Sequence, residues 1–460
     1  MAIANTPTEQ IAKVVAAQKE FFHSGKTLDI EYRLAALKRL KAAIQKWEKP
    51  LAEALWADLH KSYEEAYLTE LSIVLGEIDN HIGHLKAWAT PKRRPTPLKM
   101  FPSRSKVISE PLGTSLIIAP WNYPVQLLLN PLVGAISAGC TAILKPSPYV
   151  ESVSKVVELM ITDTFGKEYI AVVQGNRDVN SALLDERFDI IFFTGSPSLG
   201  RKVMTAAAKN LTPVVLELGG KSPCIVDKSA DIATVARRIA WGKSLNAGQT
   251  CIAPDYLLVH KDIKEELIAT LAHEFKSLLG ENPKECHHFV RIVNDKAFDR
   301  LIGYLEGADI VVGGEYDRSE RYIAPTIVDN VSVDSPIMQE EIFGPIFPII
   351  TFSETAEAVE FVAQREKPLA LYYFGDKKSA KYVLRHTSSG GACINDTIMH
   401  IANERLPFGG VGNSGMSSYH GKASFDVFSH YRAVVTTPTW VDVPFRYMPY
   451  RMFSLVKKLL

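Results

Sequence analysis

Apolar and polar residues change rhythm twice along this 460-residue chain. Over residues 8–90 the apolar positions recur at helical spacing, as at 35–40 and 68–75, and predict a helical N-terminal region. A basic, proline-rich link at 91–97 follows. From residue 114 short apolar runs take over, and 114–119, 141–144, 170–174, 190–193 and 214–218 read as buried strands. Helical stretches such as 152–164 and 199–208 lie between them, the alternation of βαβ units in a parallel sheet covered on both faces. A second series starts with a strand at 223–227, a helix near 231–244, a strand at 256–260 and a helix at 264–279. Strands at 310–312, 346–351 and 369–374 continue it, so two α/β domains are expected to meet near Leu218, Gly219 and Gly220. The tail from Val434 on, with its prolines, aromatics and terminal basic residues, fits neither series.

One stretch qualifies this picture. Residues 111–144 contain no charge and are long enough to span a bilayer. Pro120, Pro124 and Pro131, with Trp121, Asn122 and Asn130 among them, would leave backbone groups unpaired in lipid. A buried strand, a loop and a core helix are expected instead. A formal net charge of +1 gives no reason to expect nucleic acid as a partner. Five scattered cysteines form no disulfide framework or metal spacing, which points to a reducing, cytoplasmic setting, and no signal peptide is evident. Cys286, His287 and His288 are rejected as a metal site, because adjacent histidines point apart and no second ligand cluster follows.

The candidate chemistry sits at the ends of the apolar runs. Cys251 follows Gly248, Gln249 and Thr250 in a glycine turn that suits an accessible thiol rather than an ordinary core cysteine. Glu217 interrupts an apolar strand before Gly219 and Gly220, where a lone carboxylate is costly unless paired, for instance with Lys221, or used. A thiol and a carboxylate together allow covalent catalysis by sulfur, with the carboxylate activating water or the thiol. Asn122, at a strand end, has an amide that can donate to an oxyanion or simply cap a turn. Lys145 ends the next strand, and Gly195, Ser196 and Gly200 form a strand–turn–helix unit able to present N–H groups to a phosphate. That unit lacks the usual dinucleotide fingerprint. Glu340, Glu341 and Phe343 precede a turn that also reads as an ordinary polar loop. The glycine-rich run 407–415 reads as a mobile loop, more often a linker than a site.

In order, the pieces P-W-N, K-P-S, F-T-G-S-x-x-x-G, E-L-G-G-K, G-Q-x-C, E-E-I-F-G-P and P-F-G-G resemble the aldehyde dehydrogenase superfamily from about residue 108 to 430. The stretch 407–422 resembles its class 3 branch, which handles medium-chain, fatty and aromatic aldehydes and includes dimers. The resemblance implies an NAD(P)-binding domain over 1–218 with an oligomerisation arm near 95–112, a catalytic domain over 219–425, and a C-terminal oligomerisation segment and tail over 426–460. It implies NAD(P)-dependent oxidation of aldehydes to acids, with Cys251 as nucleophile, Glu217 as general base and Asn122 as oxyanion donor. Trp121, Lys145, Gly195, Ser196, Gly200, Glu341 and Phe343 would bind the cofactor in a variant Rossmann mode, which accounts for the missing fingerprint. Where the family often has an acidic residue near the ribose hydroxyls this chain has Pro148, so NADP as well as NAD is expected. A semialdehyde substrate, transfer of the acyl group to coenzyme A, and a non-catalytic relative of the fold are the alternatives. A homodimer is expected, and peripheral membrane contact through the basic, aromatic tail is the less favoured role for that segment.

Overall fold

The computed structural model describes residues 4–442, 446–450, 453–454 and 457. The uniformly apolar runs become strands because both their faces are covered: every residue of Thr114–Ile118 and Thr141–Lys145 is buried. Six strands form the first sheet in the order Gly415–Met416, Val214–Leu218, Ile190–Gly195, Thr114–Ile118, Thr141–Lys145, Ile170–Val172. All neighbours run parallel except Gly415–Met416, which lies antiparallel on Val214–Leu218. The strand order reverses between Thr114–Ile118 and Ile190–Gly195. Loops leaving these two strands diverge, and open α/β sheets bind ligands in the crevice this creates.

The second sheet has seven strands, Asp309–Val312, Thr326–Asp329, Ile346–Phe352, Tyr256–His260, Pro223–Val226, Ala370–Phe374 and Gly391–Ile394 in spatial order. Only the outermost pair, Asp309–Val312 with Thr326–Asp329, is antiparallel. The architecture is therefore α/β with two Rossmann-like parallel sheets, as the alternation predicts. Lys92–Arg94, Arg104–Pro111 and Ser429–Thr436 make a third, antiparallel sheet. The basic link thus contains a strand, and the tail begins later than Val434: Val434, Val435 and Thr436 pair with Lys106, Ser105 and Arg104. Strands this exposed carry no continuous apolar run, so neither pattern marks them.

The N-terminal region is helical as expected, in Thr8–His23, Ile30–Lys46, Glu48–Leu59, Tyr63–Ala66 and Ser72–Ala89. Tyr67–Leu71 interrupts it with a π-helical turn. The uncharged stretch folds as strand, loop, helix Gln126–Ala138 and strand, and all 13 residues of that helix are buried. Among the described residues no helix is long and apolar enough to cross a membrane.

Leu128 lies in this helix at 0% exposure. Leu128→Ala should lower unfolding free energy by about 2–5 kcal/mol, read from the urea midpoint, because packing around a deleted side chain relaxes only partly. A loss well under about 1 kcal/mol would mean the helix is not a close-packed centre.

Candidate active site

Three loops converge at the crevice. The first follows Thr114–Ile118 and carries Trp121 and Asn122. Asn122 is 2% exposed, and its Nδ2 donates to the Gln249 carbonyl at 3.0 Å. Trp121 meets Phe343 edge to face, the ring centroids 5.4 Å apart.

The second loop carries Cys251. Helix Ile232–Ser244 ends in the turn Leu245–Gly248, where Asn246 and Ala247 have φ of 51° and Gly248 has 71°. A side chain at Gly248 is excluded twice over: the backbone is left-handed, and a Cβ would lie 2.3 Å from the Gly344 carbonyl oxygen. Beyond the turn, Gln249 fixes the chain. Its Nε2 donates to the carbonyls of Asn246 and Arg291 at 3.1 and 3.0 Å, and its Oε1 accepts from the Val293 N–H at 3.1 Å. Cys251 is half-buried on this scaffold. Burial pushes its thiol pKa up, and the charges of Glu341 and Glu217 push it further. The N–H groups of Cys251 and Ile252 act in the opposite sense.

Glu217 lies on Val214–Leu218, paired with Thr194 on one side and Gly415 on the other. Its side chain is buried, and neither carboxyl oxygen has a hydrogen-bond partner. Burial alone holds its pKa well above the usual carboxylate range. An ion pair with Lys221 does not form. The Lys221 ammonium is drawn instead to Asp255 and to the carbonyls of Ile337 and Glu340, at 2.7 and 2.9 Å for the carbonyls.

The third loop carries Glu341 and Phe343. The Glu341 carboxyl rests on Gly219, where a Cβ would come within 2.0 Å of Oε2. Burial, then the charge of Asp255, raises its pKa to about 8, against the pull of the Gly220 N–H, Lys221 and Arg300. Arg300 pins the loop by donating to the carbonyls of Glu341 and Ile342 at 3.2 and 2.7 Å. This loop is a built part of the crevice rather than an ordinary polar turn.

The crevice is a cleft of about 990 Å³ whose lining includes Trp121, Asn122, Gly195, Ser196, Glu217, Cys251, Glu341 and Phe343. Two expected residues stand outside that lining. Lys145 is 1% exposed and its Nζ donates to the Pro146 carbonyl at 2.8 Å; burial lowers its pKa to about 8. Gly200 is buried under Leu218, whose Cδ2 a Cβ would meet at 2.7 Å. Cys286 and its neighbours lie away from the cleft, where His287 stacks on Trp56 and His288 Nδ1 meets the Ser62 hydroxyl.

A second cavity, about 530 Å³, lies on the other side of Cys251 and escaped the sequence reading. Leu68, Ile73, Trp241, Leu245, Met399 and Phe408 give it apolar walls. These come from three separated stretches, so no local pattern announces them. Cys251 and Leu127 line both spaces. Thr194, whose buried hydroxyl has no partner, lies inside the F-T-G-S motif but drew no role of its own, and Arg300, a single residue off any motif, carries no signal.

A family model for the aldehyde dehydrogenase family matches residues 1–434. The chain is 48% identical to 4,4'-diaponeurosporen-aldehyde dehydrogenase of Staphylococcus aureus, over 95% of this chain and 96% of the relative. It is 44% identical to the dimeric NADP-preferring aldehyde dehydrogenase of Canis lupus familiaris, over 94% and 96% respectively. The substrate-bound structure of Staphylococcus aureus AldH superposes with a TM-score of 0.96 at 46% identity, over 98% of this chain and 99% of the other. Full-length similarity of this depth, on a fold with the cleft and thiol described above, shows that the chain belongs to the aldehyde dehydrogenase family and oxidises aldehydes to carboxylic acids with NAD or NADP.

Proposed function

We propose that Cys251 is the nucleophile of this oxidation, Glu217 its general base, and Asn122 together with the Cys251 N–H the donors to the oxyanion. The observation that carries the reading is the place of Cys251 on the wall shared by the polar cleft and the apolar cavity. A thiol there can meet an aldehyde from one side and a cofactor from the other.

The cleft suits a nicotinamide dinucleotide. It has the volume of a cofactor site, and it presents the unpartnered Thr194 Oγ1 and Glu341 Oε1 to whatever enters. Trp121, Gly195, Ser196, Glu341 and Phe343 would hold the cofactor. Gly200 would act from behind the wall by letting helix Pro197–Ala208 approach Leu218. Lys145 would reach the ribose by giving up the Pro146 carbonyl. A nicotinamide held there would supply the acceptor for the hydride lost from the substrate carbon.

The remaining steps belong to the chain. Cys251 Sγ attacks the aldehyde carbonyl, and the N–H groups of Cys251 and Ile252 offset part of the burial that disfavours its thiolate. One Asn122 amide hydrogen is held by Gln249, which leaves the other for the oxyanion. After oxidation the acyl group is a thioester on Cys251. Glu217 takes a proton from water, the water oxygen attacks the thioester carbon, and the thiolate leaves with release of the acid. The apolar cavity favours aldehydes with apolar bodies over semialdehydes bearing a second charge.

The first sheet and its N-terminal helices, residues 1–218, are assigned to cofactor binding and 219–425 to catalysis. Gly415–Met416 from the second stretch closes the edge of the first sheet. The third sheet and the segment from 426 on are assigned to a homodimer interface, supported by Leu98 and Phe101 at 87% and 71% exposure beside the strands. A cytoplasmic setting accords with five free cysteines.

Cys251→Ala should abolish turnover. Glu217→Gln should keep a pre-steady-state burst of NAD(P)H while slowing steady turnover by about 10²–10⁴-fold, and loss of the burst would remove the base assignment. Because burial raises the Glu217 pKa, its basic form grows as pH rises, so the deacylation rate should climb with pH above the ordinary carboxylate range. Glu217→Gln should flatten that climb in single-turnover assays. With Pro148 in place of a carboxylate, kcat/KM for NADP and NAD should agree within about a thousandfold, roughly 4 kcal/mol, and a stronger NAD preference would exclude dual use.

A further inference from the structure

Behind Asn122 lies an ion pair that the mechanism above does not use. Lys61 and Glu70 meet at 2.6 Å with both side chains at 0% exposure. Charges this deep cost free energy unless geometry and further hydrogen bonds compensate. The further bonds all run to the Asn122 loop. Lys61 Nζ donates to the backbone carbonyl of Asn122 at 3.2 Å and stands 4.2 Å from the centre of the Tyr123 ring. Glu70 Oε2 accepts from the N–H groups of Val125 and Gln126 at 2.8 and 3.3 Å, which are orphan donors at the start of the buried helix Gln126–Ala138. A carboxylate there also answers the positive end of the helix dipole.

The same carbonyl receives a second donor, Asn246 Nδ2 at 3.0 Å, which donates to Gln249 at 3.0 Å as well. Asn122 returns its own amide to that Gln249 carbonyl. The Asn122 loop and the Cys251 turn are thereby one hydrogen-bonded unit, and the ion pair is its anchor in the N-terminal helices. Glu70 sits on the π-helical turn Tyr67–Leu71. Such turns add a residue to a helix and recur at functional sites.

We infer that Lys61 and Glu70 are positioning residues for the oxidation: they set the Asn122 backbone so that its free amide hydrogen points at the forming oxyanion. This rests on the assignment of Asn122 as oxyanion donor. Misplacement of a donor by about an ångström lowers rate by up to about a hundredfold while leaving distant binding contacts alone. Neither residue touches substrate or cofactor, so the effect should fall on kcat and spare the KM for NAD(P).

The double variant Lys61→Met/Glu70→Gln removes both charges and keeps an acceptor for the Val125 and Gln126 N–H groups. It should lose about 10–100-fold in kcat with KM for NAD(P) within about twofold of the parent. Introduced into Asn122→Ala it should cost less than about twofold more, because the group it positions is already gone. Undiminished kcat, or the same further loss in the Asn122→Ala background, would overturn the inference. Should the double variant fail to fold, Lys61→Arg keeps the charge but displaces the donor from the Asn122 carbonyl, and it must show the same Asn122-dependent loss of kcat. Full turnover in Asn122→Ala alone would instead strike at the oxyanion assignment.

Discussion

Glu217 keeps a carboxyl group inside a packed sheet, between Thr194 and Gly415, with no partner for either oxygen. Burial without a partner disfavours the ionised form and raises the pKa of the group. Holding it there takes a scaffold that cannot relax around it. Strands covered on both faces supply the rigidity, and the nearby Lys221 is drawn off to Asp255. Glu341 and Cys251 answer to the same surroundings, each displaced toward its protonated form by burial first, then Glu341 by the charge of Asp255 and Cys251 by the charges of Glu341 and Glu217. Burial thus raises the pKa of all three acids of the site.

Backbone constraints complete the scaffold. The turn Leu245–Gly248 runs left-handed through two residues that carry side chains, and it presses on Gly344 with no room for a methyl group. Such strain persists only when surrounding contacts fix it. Here the Gln249 side chain, bonded on three sides, does so.

Much of this was legible in the chain. The buried strands announced themselves because parallel sheets demand continuous apolar runs, and Glu217 stood out as the polar interruption of one. Cys251, Asn122 and the Glu341 loop were legible as ordered motifs. The arm strands were not, because Ser429–Thr436 pairs with a segment more than three hundred residues away and stays largely exposed. Lys61 and Glu70 were invisible for a different reason: within a helical stretch they read as ordinary surface charges, and only the tertiary fold buries them. Lys145 and Gly200 show the converse. Both belong to recognisable motifs, yet they lie behind the cleft wall.

The apolar cavity takes much of its wall from helices and loops at 68–73, 241–245 and 398–408 and part from 123–127 and 250–252 beside the thiol, while the polar cleft is walled largely by strand ends and their turns. Wall residues such as Met399 and Leu68 bear on neither the sheet register nor the hydrogen bonds that hold the thiol. Substitutions there can reshape what fits beside Cys251 without loosening the scaffold that poises its chemistry. Part of the substrate range is therefore inherited apart from reactivity, and that part can drift under selection while the thiol and its scaffold stand still.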